Sequence, residues 1–262
     1  MSATLKVMSF NLRYDKPDPD RCAWSVRRYA IVDAIAHYQP DLVGTQEGKA
    51  HQLLDLHRFL GDYQSIGRDR SGTGTDEHCA IFYRTQHLTR LSSGDFYLSD
   101  TPEVAGSIGF DWGNPLPRMA TWGVFATPRG QQVALVNTHL DYQSERSRDL
   151  SAELIRDRLV EIAPSDTLRF LTADFNAIPK SHCRQRLAQP LSNRIQLFDA
   201  LVAQNPTAPH TAHDFTGKTF ASIDSIYGDR RVRLQWVKVD TQRWEGVFPS
   251  DHFPVIAQFE VD

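Results

Sequence analysis

Thr4 to Leu12 alternates apolar and polar side chains, the two-residue period of a half-buried strand. A turn-rich stretch follows, with Asp15, Pro17, Asp18, Pro19 and Asp20. Ile31, Ala34, Ile35 and Tyr38 then fall at helical spacing, predicting an amphipathic helix over Ser25 to Tyr38 that stops at Pro40. Leu42 to Gln46 reads as a short buried strand and Ala50 to Leu60 as a second helix, with Leu53, Leu56 and Leu60 inward. Arg68 to His78 is a surface loop by composition, Cys79 to Tyr83 a buried strand, and Thr89 to Leu98 a weaker one. Asp100 to Pro117 reads as a long loop. Ala120 to Ala126 and Gln132 to His139 form a hairpin around Pro128 to Gly130. Ala152, Ile155, Leu159 and Ile162 mark a helix; Leu168 to Thr172, Val232 to Val239 and Val255 to Phe259 are strands. Strands outnumber helices and the two are intermixed, which predicts sheets packed face to face with helices outside.

Composition adds limits. The 262 residues contain no Gly/Ser tract, proline run or fixed-period repeat, so one domain over residues 1–262 is expected. A net charge of -3 lacks the basic excess of a sequence-independent duplex DNA binder. A local basic cleft remains open, with Arg68, Arg70, Arg118, Arg146 and Arg148 as candidates. Cys22, Cys79 and Cys183 are widely spaced and read as buried thiols in a reducing compartment. No apolar run reaches membrane-spanning length. A cytoplasmic protein with no membrane association and no obligate protein partner is expected.

The chemistry lies where strands end. Asn11 closes the first strand, Glu47 the second, His139 and Asp141 the hairpin, and Asp174 and Asn176 the next. Asp224 sits on another strand, and Asp251-His252 precedes the last. Strand ends are where side chains from distant segments converge. Hard divalent ions take oxygen ligands, and one or two carboxylates plus substrate phosphate are their usual complement. Glu47 and Asp251 would suffice for one ion, with Asn11 supplying an amide oxygen. Asp224 would orient a histidine. The inventory suits attack of water on phosphorus. Each residue also has an ordinary structural use: Asp174 and Asn176 as a cap and turn, His139 as a satisfied core histidine, Arg118 as a surface ion pair. The five tryptophans read as core or rim, with Trp112, in the long loop, placed to stack on a base or sugar.

The segments Met8 to Tyr14, Pro40 to Glu47, Asn137-Thr-His-Leu-Asp141, Leu171 to Asn176, Ser222-Ile-Asp224 and Ser250 to Val255 stand in an order that resembles the endonuclease/exonuclease/phosphatase superfamily. Gly67-Arg68, Ala80 to Tyr83, Leu98 to Pro102, Leu116-Pro-Arg118 and His210 to Phe215 are similar to a bacterial branch of unassigned substrate. The resemblance implies an α/β (α+β) fold: a four-layer αββα sandwich of two mainly antiparallel sheets. It also implies dependence on Mg²⁺ or Mn²⁺. By the same resemblance Glu47 is the principal metal ligand, with Asn11 and Asp251 completing or supporting the site. Asp174 and Asn176 would hold the attacking water or a second ion. His139 would contact the phosphate, and His252, paired with Asp224, would act as acid/base or phosphate-stabilising group. Arg118 and His213 would bind phosphate. Two positions depart from the pattern: Ala173 replaces a glycine, and Ser222-Ile-Asp-Ser-Ile226 lacks the usual flanking Arg and Tyr. The function implied is a metal-dependent phosphoesterase acting on a small phosphorylated molecule or short nucleic acid, as diester or monoester. A catalytically inactive binding module of the same fold is the alternative.

Overall fold

The computed structural model describes residues 3–191 and 195–261. It contains two six-stranded sheets. In the first, β1 (Thr4–Asn11) pairs in parallel with β2 (Leu42–Gln46), and α1 (Trp24–Tyr38) makes the crossover between them. After α2 (Ala50–Phe59) come β3 (Tyr63–Ile66) and β4 (Ile81–Arg84), which extend this sheet beyond β2. In the second, β5 (Thr89–Tyr97) and β6 (Met119–Ala126) lead into β7 (Gln132–His139). β7 pairs in parallel with β8 (Leu168–Asp174), through a crossover by α3 (Glu145–Glu161). After α4 (His182–Leu187), the short β9 (Leu197–Asp199) runs into α5 (Ala200–Gln204), and β10 (Asp224–Asp229) lies between β8 and β9. The chain then returns to the first sheet with β11 (Arg233–Val239) and β12 (Val255–Glu260), which seats itself beside β1. Each sheet therefore has one central parallel pair flanked by antiparallel neighbours.

The central strands β1, β2, β7 and β8 are buried on both faces, so β1 is more enclosed than the half-buried strand its alternation predicts, while the edge strands β5 and β11 are left partly exposed. Leu5, Val7, Leu42 and Phe259 of the first sheet face Leu135 and Phe170 of the second in the core between the sheets. On the outer side of the first sheet, Met8, Phe10 and Val43 meet Ile31 and Ile35 of α1 and Leu53 and Leu56 of α2. On the outer side of the second, Val136 and Leu171 meet Ala152, Ile155 and Leu159 of α3. The result is the helix, sheet, sheet, helix layering that the resemblance implies. A net of such strands reads as continuous apolar runs, and the helices supply the second apolar surface each sheet needs.

The two-residue period of the strands grades the interior. Inner-face positions run Leu5, Val7, Ser9, Asn11 on β1; Leu42, Gly44, Gln46 on β2; Val133, Leu135, Asn137, His139 on β7; and Leu168, Phe170, Thr172, Asp174 on β8. Apolar side chains thus fill one end of the sandwich, neutral polar ones its middle, and ionisable ones the other end.

Some expectations change. The strand expected over Cys79 to Tyr83 is β4, starting two residues later, and β3, α4, β9 and α5 are elements the periodicity did not mark. Trp112 does not present a stacking face: its ring is 6% exposed, packs with Phe96 and Leu98, and donates to Asp100 Oδ1 at 3.0 Å. Cys79 and Cys183 are buried thiols, whereas Cys22 is only partly covered.

Candidate active site

The C-terminal ends of the parallel strands β1, β2, β7 and β8 point to the same end of the sandwich. β10 runs antiparallel to β8, so its first residue, Asp224, stands opposite Asp174. β12 runs antiparallel to β1, so the loop before it delivers Asp251 and His252 to the same end. Topology alone therefore gathers residues separated by most of the chain.

Glu47 is the first residue past β2 and adopts a left-handed backbone, with φ 65°. That turn brings its side chain back over the end of the sandwich. Arg13 (φ 55°) and Asn176 (φ 47°) share this conformation beside the same cleft. Non-glycine residues held there cost on the order of 1–3 kcal/mol each, and such strain clusters at functional sites.

Asn11 is fully buried. Its Nδ2 donates to Glu47 Oε1 at 3.0 Å and to Asp174 Oδ2 at 2.9 Å, while its Oδ1 accepts from the Arg13 N–H at 2.8 Å. Its amide thus holds two carboxylates from different sheets beside each other. Glu47 Oε2 also accepts from the Tyr14 N–H at 3.1 Å. Asp174 Oδ1 accepts from the Asn176 N–H at 2.9 Å. Asn176 Nδ2 reaches His139 Nε2 at 2.9 Å and the Leu140 carbonyl at 3.0 Å. His252 Nδ1 lies 2.9 Å from Asp224 Oδ2 and 3.7 Å from Asp174 Oδ2. Asp224 lacks the flanking Arg and Tyr of the family pattern; its support comes from Thr211, whose Oγ1 donates to Asp224 Oδ2 at 2.5 Å. Thr211 lies within the His210 to Phe215 segment, but nothing in its spacing marks it as a partner of Asp224.

The two histidines are poised in opposite directions. Burial, together with the charges of Arg118, Arg70 and His252, holds His139 well below the ordinary imidazole value. As a neutral ring it accepts the Asn176 amide proton at Nε2. Burial also disfavours a charged His252, but the carboxylates of Asp224 and Asp174 outweigh it and raise its pKa well above the ordinary value. Asp174 in turn is raised by burial and by the nearby Asp224 charge. A pair of titratable groups pushed apart in this way is how one site supplies both protonation states at once.

Glu47, His139 and Asp174 offer ligand atoms within 4.8 Å of one another; Asp174, Asp224 and His252 do the same, so Asp174 belongs to both groups. The donor set fits a hard divalent cation: carboxylate oxygens dominate, and two like charges are held together beside a cleft. The cleft has a volume of about 550 Å³. Glu47, His139, Asp174, Asn176 and His252 form its floor, and Arg13, Lys49, Arg70 and Arg118 line its sides. Among the five arginines proposed for a basic cleft, Arg70 and Arg118 line it. Arg118 is almost fully buried, with Nε 3.3 Å from Asp141 Oδ2. Arg70 is braced by Asp76 at 3.0 Å and Glu77 at 2.9 Å. Burial and the Glu47 charge push the Glu77 carboxyl up to about 7.

Four residues expected at the site are not part of the cleft lining: Asn11 and Asp224, which stand behind it and bond to Asp174 and His252, and Asp251 and His213. Asp251 faces Arg13 Nη1 at 3.3 Å and Ser250, at the margin of the Glu47 group. His213 is wholly buried, stacked on Phe253 with ring centroids 3.9 Å apart and edge-on to Phe248. Its backbone N–H, not its ring, serves the site, by donating to the Asp251 carbonyl at 2.9 Å. The phosphate contact expected of His213 is therefore corrected to a packing role, because the two phenylalanines enclose the ring. Arg13 and Lys49 were not anticipated, since both sit in loops that only the fold brings to the cleft.

Residues 8–252 match the family model described as Endonuclease/Exonuclease/phosphatase family. An endonuclease/exonuclease/phosphatase from Bacteroides vulgatus superposes with a TM-score of 0.89 at 29% identity, covering 99% of this chain and 100% of the other. A mannosyl-6-phosphatase from Bacteroides thetaiotaomicron VPI-5482 gives 0.86 at 30% identity, covering 97% and 99%. Among curated proteins, Nocturnin of Xenopus laevis is 23% identical over 90% of this chain, which spans 64% of that protein's length. The strand-end constellation, the two-sheet fold and a family match across nearly the whole length agree: the chain belongs to the endonuclease/exonuclease/phosphatase family.

Proposed function

We propose that this protein is a divalent-cation-dependent phosphoesterase that hydrolyses a small phosphorylated metabolite, with a sugar phosphate monoester as the leading substrate class. One observation supports the chemistry: Asp174 belongs to both the Glu47–His139–Asp174 and the Asp174–Asp224–His252 groups; in this reading the first would hold the cation and the second would serve as the acid/base pair. The substrate class is supported by the likeness to the mannosyl-6-phosphatase, which is 30% identical over almost the full length of both chains. The size of the cleft and the net charge of -3 favour a small ligand over a duplex.

In this reading Glu47 and Asp174 would hold Mg²⁺ or Mn²⁺, with Asn11 and Asp251 supporting them. The bound cation would neutralise charge on the phosphoryl oxygens. Arg118 and Arg70 bind the remaining oxygens from the cleft wall, as preorganised cations that need no reorganisation during the reaction. Asp174 and Asn176 orient the attacking water for in-line displacement. His139, held uncharged, would contact the phosphoryl group as an Nε2–H donor, its Nε2 turning from the Asn176 amide to a phosphoryl oxygen. His252, charged against Asp224, stabilises the pentavalent state and gives a proton to the leaving oxygen.

The test is hydrolysis with Mg²⁺, Mn²⁺ or EDTA, read as phosphate release from hexose phosphates and p-nitrophenyl phosphate, as nitrophenol release from bis-p-nitrophenyl phosphate, and as nucleotide products from dinucleotides and oligoadenylate. Asp174→Asn controls for contaminating enzymes. The expected result is metal-dependent release that the variant lacks, greatest on a hexose phosphate. Equal rates in EDTA, or an active Asp174→Asn protein, would overturn the proposal; a preference for diesters would overturn the substrate class alone.

A further inference from the structure

One inner-face step, two residues along the strands, beneath the cleft floor lies a layer of neutral polar groups. Asn137 is at its centre and is fully buried. Its Oδ1 accepts from Gln46 Nε2 at 2.7 Å and from Thr172 Oγ1 at 3.0 Å. Its Nδ2 donates to the carbonyls of Thr45 at 2.7 Å and Ala80 at 3.0 Å. The carboxamide thereby uses both donors and both acceptor positions it possesses. Thr172 is its neighbour on the second sheet, whereas Thr45, Gln46 and Ala80 belong to the first sheet and the turn entering it.

The sheets approach closely here. A Cβ on Gly44 would stand 2.6 Å from Asn137 Oδ1 and closer still to Thr172 Oγ1. The absent side chain of Gly44 is what lets the Asn137 carboxamide reach across. Below this level the contact between sheets is apolar, and apolar contacts are non-directional, so they hold two surfaces together without fixing their offset. The hydrogen bonds of Asn137 are directional, and a fully satisfied buried network admits one arrangement.

That arrangement matters because the cleft floor is split between the sheets. Glu47 follows Gln46 on the first. His139 and Asp174 stand two residues beyond Asn137 and Thr172 on the second, about 7 Å along the strand. We infer that Asn137 is a positioning residue: its cross-sheet hydrogen bonds to Gln46, Thr45 and Ala80 set the separation of Glu47 from His139 and Asp174. The inference rests on the metal-assisted reading of the site. Misplacement on the order of 1 Å can cost about 100-fold in rate, so the loss of this strut should be felt in metal binding and turnover as well as in stability.

The test compares wild type with Asn137→Leu, which keeps bulk and removes all four hydrogen bonds, and with Thr172→Val and Thr172→Ser, which delete and restore one. Val133→Ala, on the same strand at the apolar end, supplies a purely destabilising comparison. Mn²⁺ affinity is read by electron paramagnetic resonance without substrate, beside kcat, KM and melting temperature. Asn137→Leu should bind Mn²⁺ roughly 10-fold more weakly and lose about 10- to 100-fold in kcat, with KM changed by less than about 3-fold. Thr172→Val should move the same way by less, and Thr172→Ser should recover. Val133→Ala should melt earlier with wild-type Mn²⁺ affinity and kcat. Folded Asn137→Leu with unchanged Mn²⁺ affinity and kcat would overturn the inference, as would Val133→Ala reproducing its losses. If Asn137→Leu does not fold, Gln46→Met, which deletes one of the cross-sheet bonds, takes its place, and wild-type Mn²⁺ affinity and kcat in that variant overturn the inference. Wild-type protein that neither binds Mn²⁺ nor turns over any ester would overturn the functional reading and this inference together.

Discussion

Replacing Asp224 with Asn leaves the shape of the site intact while removing one charge from between Thr211 and His252. In the wild type, His252 Nδ1 stands 2.9 Å from Asp224 Oδ2, and that carboxylate is the foremost reason the buried ring stays protonated. A hydrogen bond to a charged partner contributes about 1.5–3 kcal/mol, roughly twice a neutral one. Exchanging the ionic bond for a neutral one should therefore lower the His252 pKa, because the charged ring loses its strongest stabilising partner while burial still opposes its charge. The Asp174 carboxyl should also fall, because Asp224 is one of the charges raising it. The assay is a pH titration of the His252 Cε1–H resonance by NMR on metal-free protein. Stability offers a second reading with a definite sign. A histidine raised in the folded state contributes stability that is fully present below its unfolded value near 6.5 and is lost as pH rises through the folded value. The gap in unfolding free energy between wild type and Asp224→Asn should therefore be widest below that pH and narrow on the alkaline side. Turnover should drop by about 100-fold or more. A His252 resonance that titrates at the same pH in both proteins would refute the argument, since it would mean the ring takes its charge from some other source.

Glu47→Gln should abolish tight Mn²⁺ binding and reduce turnover at saturating metal by about 100-fold or more, measured by calorimetry and phosphate release. Asp69 accepts from the Gly74, Thr73 and Asp76 N–H groups and from Ser71 Oγ, and these bonds outweigh burial to hold its carboxyl down to about 2. Asp69→Ala should thus cost about 2 kcal/mol in urea unfolding at neutral pH. That contribution is present above the unfolded value of 3.8 and fades as pH falls towards 2. The same variant should raise KM, because the loop pinned by Asp69 carries Arg70 into the cleft. Trp112→Ala should lower stability by about 3–5 kcal/mol, as a large truncation inside a packed core does; a loss within about 0.5 kcal/mol would show that the ring is not packed as described.

The sequence shows the site through its strands. Asn11, Glu47, His139, Asp174 and Asp224 are polar residues at or beside the ends of segments whose alternation is otherwise apolar, and that contrast survives in one dimension. β2, β7 and β8 were legible as apolar runs because each buries side chains on both faces, whereas β1 was legible by its alternation and proves more enclosed than that alternation implied. β3 and β9 are only four and three residues long and hold their place by pairing with β4 and β10, so they carry too little periodicity to stand out. The cleft walls were the least legible part. Arg13, Lys49, Asp76 and Glu77 lie in loops, where side-chain direction depends on the tertiary path and not on any local period. His213 misleads for the opposite reason: a histidine in a polar segment reads as a ligand until the fold closes Phe248 and Phe253 around it.

The place of β12 beside β1 has a consequence in time. A ribosome releases β1 first, yet one long edge of that strand stays unpaired until Val255–Glu260 has left the exit tunnel. Pairing across such a sequence separation is slow to form. His252 arrives on the same late stretch of chain. A molecule that has emerged only as far as β11 can therefore build much of its second sheet while its cleft still lacks part of its floor, so the cleft is completed in one late step instead of growing with chain length.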